Sequence, residues 1–196
     1  MDRLESILRR VSLILSRLGG SMLLASALLV AVEVVLRKSR LVVFSLGTEL
    51  SSYALAVGSA WAFAHVVFER AHVRVDVVTQ RLPATIRAAF DVLAMASLAL
   101  VGFVLTLGAW NTFMSSYSIG ATANTTLATP LAIPQGLWLS GIAWFTFVAA
   151  WRTLSAFTAL MRHDLAEVVR IAGAPSSIDE ADEAAEDAQD RMEARQ

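Results

Sequence analysis

Apolar residues gather in four runs along the chain, with short polar stretches between them. The first covers residues 18–36 ("LGGSMLLASALLVAVEVVL") and is interrupted only by Glu33 near its end. The second covers 48–68, with Thr48 as the expected N-cap after Gly47, Glu49 in its first turn and His65 in its last. The third covers 88–115. The fourth covers 134–152, with Pro134 placed at the first helical position. A helix rises 1.5 Å per residue, so about 20 apolar residues cross the ~30 Å hydrocarbon core of a bilayer. In lipid the backbone of such a run finds its hydrogen bonds only within a helix. The pattern therefore predicts an all-α integral membrane protein with four transmembrane helices.

The flanking segments carry a different period. In residues 1–17, Leu4, Leu8, Val11 and Leu15 lead into Leu18 at helical spacing, while Glu5, Arg9, Ser12 and Ser16 fall elsewhere on the wheel. This predicts an amphipathic arm that either lies on the inner leaflet or extends the first span. Between spans two and three the chain reads "FERAHVRVDVV". Alternation from His72 to Val77 suggests a strand, but a lone strand at a membrane surface leaves its backbone unpaired. Over a longer window Ala71, Val75, Val78 and Leu82 make one helical stripe, with Arg70, Arg74 and Arg81 directly beside it. That arrangement predicts an interfacial helix over 70–82, with its Arg at lipid phosphates and its end at Pro83. The membrane domain so defined is 18–160, followed by a tail over 161–196.

Composition supports the membrane reading: 56% of the 196 residues are hydrophobic, too many for an ordinary soluble domain. Eight acids fall in the last 18 residues, leaving a basic body with 14 Lys and Arg against 9 acids. With four spans, 13 Lys and Arg lie on one side and only Arg37, Lys38 and Arg40 on the other. By the positive-inside rule both termini are cytoplasmic. The first apolar run is too long for a signal peptide and is followed by "RKSR" instead of a small-residue cleavage site. With no Cys, there is no disulfide, iron–sulfur cluster or Cys-type zinc site, and three scattered His supply a metal poorly.

Ionisable groups within spans point to function by default, and their depth decides how to read them. Glu33 and Arg37 are spaced to meet on one helix face, and Glu49 opens the second span on the same outer side, within reach of Arg37, Lys38 or Arg40. A pin for the first hairpin, or a contact with another subunit, accounts for them better than a transport site, because no charge sits at mid-depth. His65 and Asp91 lie near the inner boundary, too few and too shallow for a proton relay or a haem. Gly102, Gly108 and Gly141 allow close helix approach, although no G-x-x-x-G occurs in a span. The acidic tail reads as a solvated extension. These features call for no catalytic centre, cofactor or nucleic acid, and place function in what the protein binds.

Four motifs sharpen this reading: "EVVLR" at Glu33–Arg37, "ELSSY" at Glu49–Tyr53, "RAHVRVD" at Arg70–Asp76, and "AIP" at Ala132–Pro134. In order, spacing and placement they resemble the small, Q-type membrane subunit of tripartite ATP-independent periplasmic (TRAP) transporters over about residues 18–160. The sequence departs from that pattern at Gly47 and Thr48, where many members carry Trp and an acid, and at Ser52, where many carry a base. The resemblance implies a bacterial inner-membrane complex, not an enzyme. Its large, M-type subunit carries substrate and sodium sites, and a periplasmic binding protein delivers an organic acid. The small subunit is then a non-transporting scaffold, with Glu33, Arg37 and Glu49 organising the outer hairpin. Arg70, Arg74 and Arg81 would hold membrane phospholipids, and His72 and Asp76 would cap locally or touch the large subunit. The alternative from another class is a stand-alone four-helix redox or sensory subunit.

Overall fold

The computed structural model describes residues 2–38, 46–70, 82–125 and 127–173. Five helices lie among them: α1 (Asp2–Lys38), α2 (Leu46–Phe68), α3 (Ala84–Ser118), α4 (Ala132–Met161) and α5 (Leu165–Ala172). The first four are long and apolar enough to cross a membrane. No strand occurs among the described residues. An isolated antiparallel bridge between Thr122 and Pro130 closes the loop from α3 to α4.

The helix boundaries follow local chemistry. α1 is unbroken through both the amphipathic arm and the first apolar run, so the arm extends the span as one helix. α2 begins at Leu46, two residues before the expected cap Thr48. It ends where the Glu69 N–H donates to the His65 carbonyl (3.1 Å) and Arg70 turns to φ +54°. The predicted interfacial helix over 70–82 lies almost wholly outside the described residues. α3 starts directly after Pro83, whose carbonyl accepts from the Arg87 N–H (3.0 Å), four residues earlier than expected. α4 starts at Ala132, which places Pro134 in the third helical position and not the first. The first turn tolerates it because the amide N–H that proline lacks has no helical partner there.

α4 also continues nine residues beyond the predicted 152, to Met161. A turn at His163 (φ +58°) follows, and the Asp164 carboxylate accepts from the Glu167 N–H (3.1 Å) to cap α5. This short helix occupies part of the segment predicted as tail and buries Val168, Ile171 and Ala172.

The long helices form a row in the order α1, α2, α4, α3, and α5 packs on α3 and α4; the end of the row at which α1 begins is called inner, and the other outer, after the expected orientation. Close approach sets the spacing of the row. Gly19 of α1 faces Gly58 of α2 so tightly that a Cβ on Gly19 would lie 2.5 Å from the Gly58 carbonyl oxygen. Gly141 of α4 fits against Ala60 and Trp61, and Gly102 of α3 against Phe145 and Thr146. Gly108, by contrast, faces open space. Lipid provides no hydrophobic drive between helices, so backbone proximity and van der Waals contact hold the row together. The apolar core gathers at the inner ends, where Leu8, Val67, Phe68, Met95, Val148, Val168 and Ile171 pack together.

Candidate functional site

Three contacts set the register of the antiparallel α1–α2 hairpin. The Arg9 Nη2 donates to Glu69 Oε1 (3.2 Å) at one end, Gly19 meets Gly58 between, and the Gly47 N–H donates to Glu33 at the other end. Residues 9–18 therefore lie beside the inner part of α2, not beyond it. Arg17, two residues before Gly19, sits level with Ala60, deeper than the inner edge at which the sequence placed it. At 100° per residue it points away from α2, and it is exposed.

At the outer end, Glu33 binds Arg37 one turn along α1 and accepts the Gly47 N–H at the start of α2. Its side chain is 11% exposed. Glu49 is buried, 8% exposed; its carboxylate accepts from the Tyr53 hydroxyl (2.8 Å) and is within hydrogen-bonding reach of Thr125 and Thr129 in the α3–α4 loop. That loop is itself braced by the Ala123 N–H to the Thr129 carbonyl and the Leu131 N–H to the Ala121 carbonyl, both 2.9 Å. Glu33 thus links α1 to the start of α2, while Glu49 turns to Tyr53 and to a pair of threonines in the α3–α4 loop.

At the inner end the central residue is Arg152, which the sequence marked only as an inside charge. It is 5% exposed. Its Nη1 reaches Glu5 of α1 (3.4 Å), its Nη2 donates to the Ile171 carbonyl near the end of α5, and its guanidinium lies 5.1 Å from the Phe68 ring centroid of α2. One side chain of α4 thus holds three other helices. About two turns further in, the Trp144 Nε1–H donates to the buried Ser12 hydroxyl of α1 (3.0 Å). The signal for Arg152 is a lone arginine followed by a further apolar stretch, "TLSAFTALM", which buries the charge.

Between these ends the helix contacts among the described residues are apolar or join uncharged polar groups. The Thr106 and Thr146 hydroxyls lie 2.9 Å apart across α3 and α4, and the Trp61 Nε1–H donates to the Leu137 carbonyl (3.0 Å) across α2 and α4. The charged side chains buried among the described residues are Glu49 in the first turn of α2, Asp91 seven residues into α3, and Arg152 of α4, level with the last residue of α2, Phe68. Of the remaining predicted site residues, Arg70 forms the turn after α2, while His72, Arg74, Asp76 and Arg81 lie outside the described residues.

Most of the chain that builds these four helices is matched by a family model. The model, described as the DctQ component of tripartite ATP-independent periplasmic transporters, covers residues 3–159. The chain belongs to the DctQ family. No curated protein and no solved structure matches it. DctQ proteins are transporter components and not an enzyme family, and membership implies a large membrane subunit and a periplasmic binding protein as partners. With its four apolar helices, this DctQ chain is a multi-pass protein of the bacterial inner membrane. The match begins at residue 3, so the family includes the α1 arm that the motif-based resemblance left out.

Proposed function

We propose that this DctQ chain is a static, non-transporting scaffold. In this reading it supports the large subunit during sodium-coupled import of an organic acid handed over by the binding protein, with both termini cytoplasmic. The observation that carries the reading is where its buried charges sit. Glu49, Asp91 and Arg152 lie toward the two ends of the row, while the helix contacts between them use glycines, hydroxyls and indole N–H groups. A transport path needs ionisable or strongly polar groups at mid-depth, whereas a scaffold needs close-packed helices and firm ends.

A lock on the row tests this. The chain has no native Cys. Because the Thr106 and Thr146 hydroxyl oxygens are 2.9 Å apart, cysteines at both positions bring two sulfurs near the S–S bonding distance of about 2.05 Å. Oxidised T106C/T146C, reconstituted with its large subunit and binding protein, should retain uptake. A rate that collapses on oxidation and returns on reduction would show that α3 and α4 must move against each other, and the scaffold reading would fail.

A further inference from the structure

At the inner end of the α1–α2 hairpin, Ser6, Arg9, Arg10 and Leu13 of α1 and His65 and Glu69 of α2 line an open cavity of about 430 Å³. Its charges do not cancel. Arg9 is engaged by Glu69 (3.2 Å), and His65 Nδ1 is 3.9 Å from the same carboxylate oxygen. Arg10 has no hydrogen-bonding or ion-pair partner among the described residues. Arg17 follows Leu13 by one turn on the same face of α1. Arg17 does not line the cavity and faces away from α2, but a helical side chain leans toward the N-terminus, which brings Arg17 back along α1 to the rim formed by Arg10 and Leu13. Above the cavity the face of α1 becomes apolar, with Ile14 55%, Leu18 48% and Leu24 65% exposed.

A cavity with surplus positive charge at its mouth and an uncovered apolar face above it has the polarity of a phospholipid. We propose that it seats the phosphodiester headgroup of an anionic phospholipid between Arg10 and Arg17, with the acyl chains along Ile14 and Leu18. The charge balance selects an anionic headgroup. Arg9 and Glu69 neutralise each other, and a phosphodiester offsets the next positive charge. The ammonium of a zwitterionic headgroup would add a cation beside three guanidiniums whose one carboxylate is already engaged. The lipid also accounts for Arg17, a charge level with Ala60 on an exposed face, since a phosphate drawn into the cavity meets it part-way. The site is separate from the scaffold reading; only its assignment to the inner leaflet rests on the orientation proposed above.

The test uses the full chain with its large subunit, purified in detergent and titrated with phosphatidylglycerol or with phosphatidylcholine of the same acyl chains. Native mass spectrometry counts the retained lipid. Two arginines near a headgroup should favour phosphatidylglycerol on the order of tenfold. R10Q/R17Q should bring the two lipids within about twofold, and R162Q, an exposed arginine outside the cavity, should leave the preference intact. Unaltered melting of R10Q/R17Q confirms that the fold is kept. Equal retention of both lipids by the wild type, or an unchanged preference in R10Q/R17Q, would overturn the proposal. Displacement by soluble glycerophosphate at matching concentration would reassign the cavity to free anions. Loss of the large subunit from R10Q/R17Q with lipid preference intact would reassign the stripe to a protein contact.

Discussion

Adding one methyl group at Gly19 tests whether backbone contact holds α1 in the row. In G19A the new Cβ would lie 2.5 Å from the Gly58 carbonyl oxygen and 3.0 Å from its Cα. Both are backbone atoms, so neither can swing aside, and the helices must separate by several tenths of an ångström. A gap of 0.5–1 Å forfeits roughly a quarter to a half of each contact's attraction. Some twenty atom pairs near the crossing, at about 0.15 kcal/mol each, then lose about 1 kcal/mol, within the roughly 1–3 kcal/mol typical of overpacking. Against this, Ala is favoured over Gly within a helix by up to about 1 kcal/mol. The adjacent Gly20 separates the two effects, because a Cβ there meets nothing within 4 Å. G20A should equal or exceed the wild type in stability, and G19A should fall below G20A by about 1–3 kcal/mol. Equilibrium unfolding in mixed micelles, followed by Trp fluorescence, measures the difference. Equal stabilities for G19A and G20A would show that the close approach carries no weight.

Two further outcomes follow from the inner end. R152M leaves Glu5 and the Ile171 carbonyl without their donor. Because Glu5 is partly exposed, the loss should sit at the low end of the roughly 3–5 kcal/mol seen when a buried pair is broken. It should appear as faster amide exchange across Leu165–Ala172, and exchange as slow as in the wild type would refute the role. On α5, hydrogen bonds from Arg170 at 2.6 and 2.7 Å hold the Glu167 carboxyl below the usual carboxylate range. A lowered folded-state pKa means that the pair stabilises above the ordinary carboxylate pKa and that this contribution is lost as pH falls through the lowered one. The loss of unfolding free energy between neutral and acidic pH should therefore be slightly smaller in E167Q, by under about 1 kcal/mol for so exposed a pair. Identical pH profiles would dismiss it.

Much of the architecture was legible in the sequence, because length and apolarity alone decide whether a segment spans a bilayer. The Glu33–Arg37 contact was legible too, because the two are neighbours on one helix, whereas the loop threonines that meet Glu49 were not. What the sequence hid depends on pairs far apart in the chain. Gly19 and Gly58 make their close contact with one glycine from each helix, so a search for two glycines on one helix misses it. Arg152 reads as a boundary charge until α5 folds over it. α5 itself carried a local signal, Asp164 and Glu167 at cap and third position before an apolar stripe of Leu165, Val168 and Ile171, which the acids further along outweighed. The deeper position of Arg17 emerges only from the hairpin register.

The Arg152 contacts also dictate an order of biogenesis. Of the three partners Glu5 is made first, Arg152 follows 147 residues later, and Ile171 comes 19 residues after that. The inner end of the protein therefore cannot close until Ile171 has been made. α1 must wait in the membrane, joined to α2 through Gly19 and Gly58, until α5 arrives. A nascent chain cut short between Arg152 and Ile171 would carry a buried arginine with a missing partner, a defect by which incomplete subunits can be sorted from finished ones before they meet the rest of the transporter.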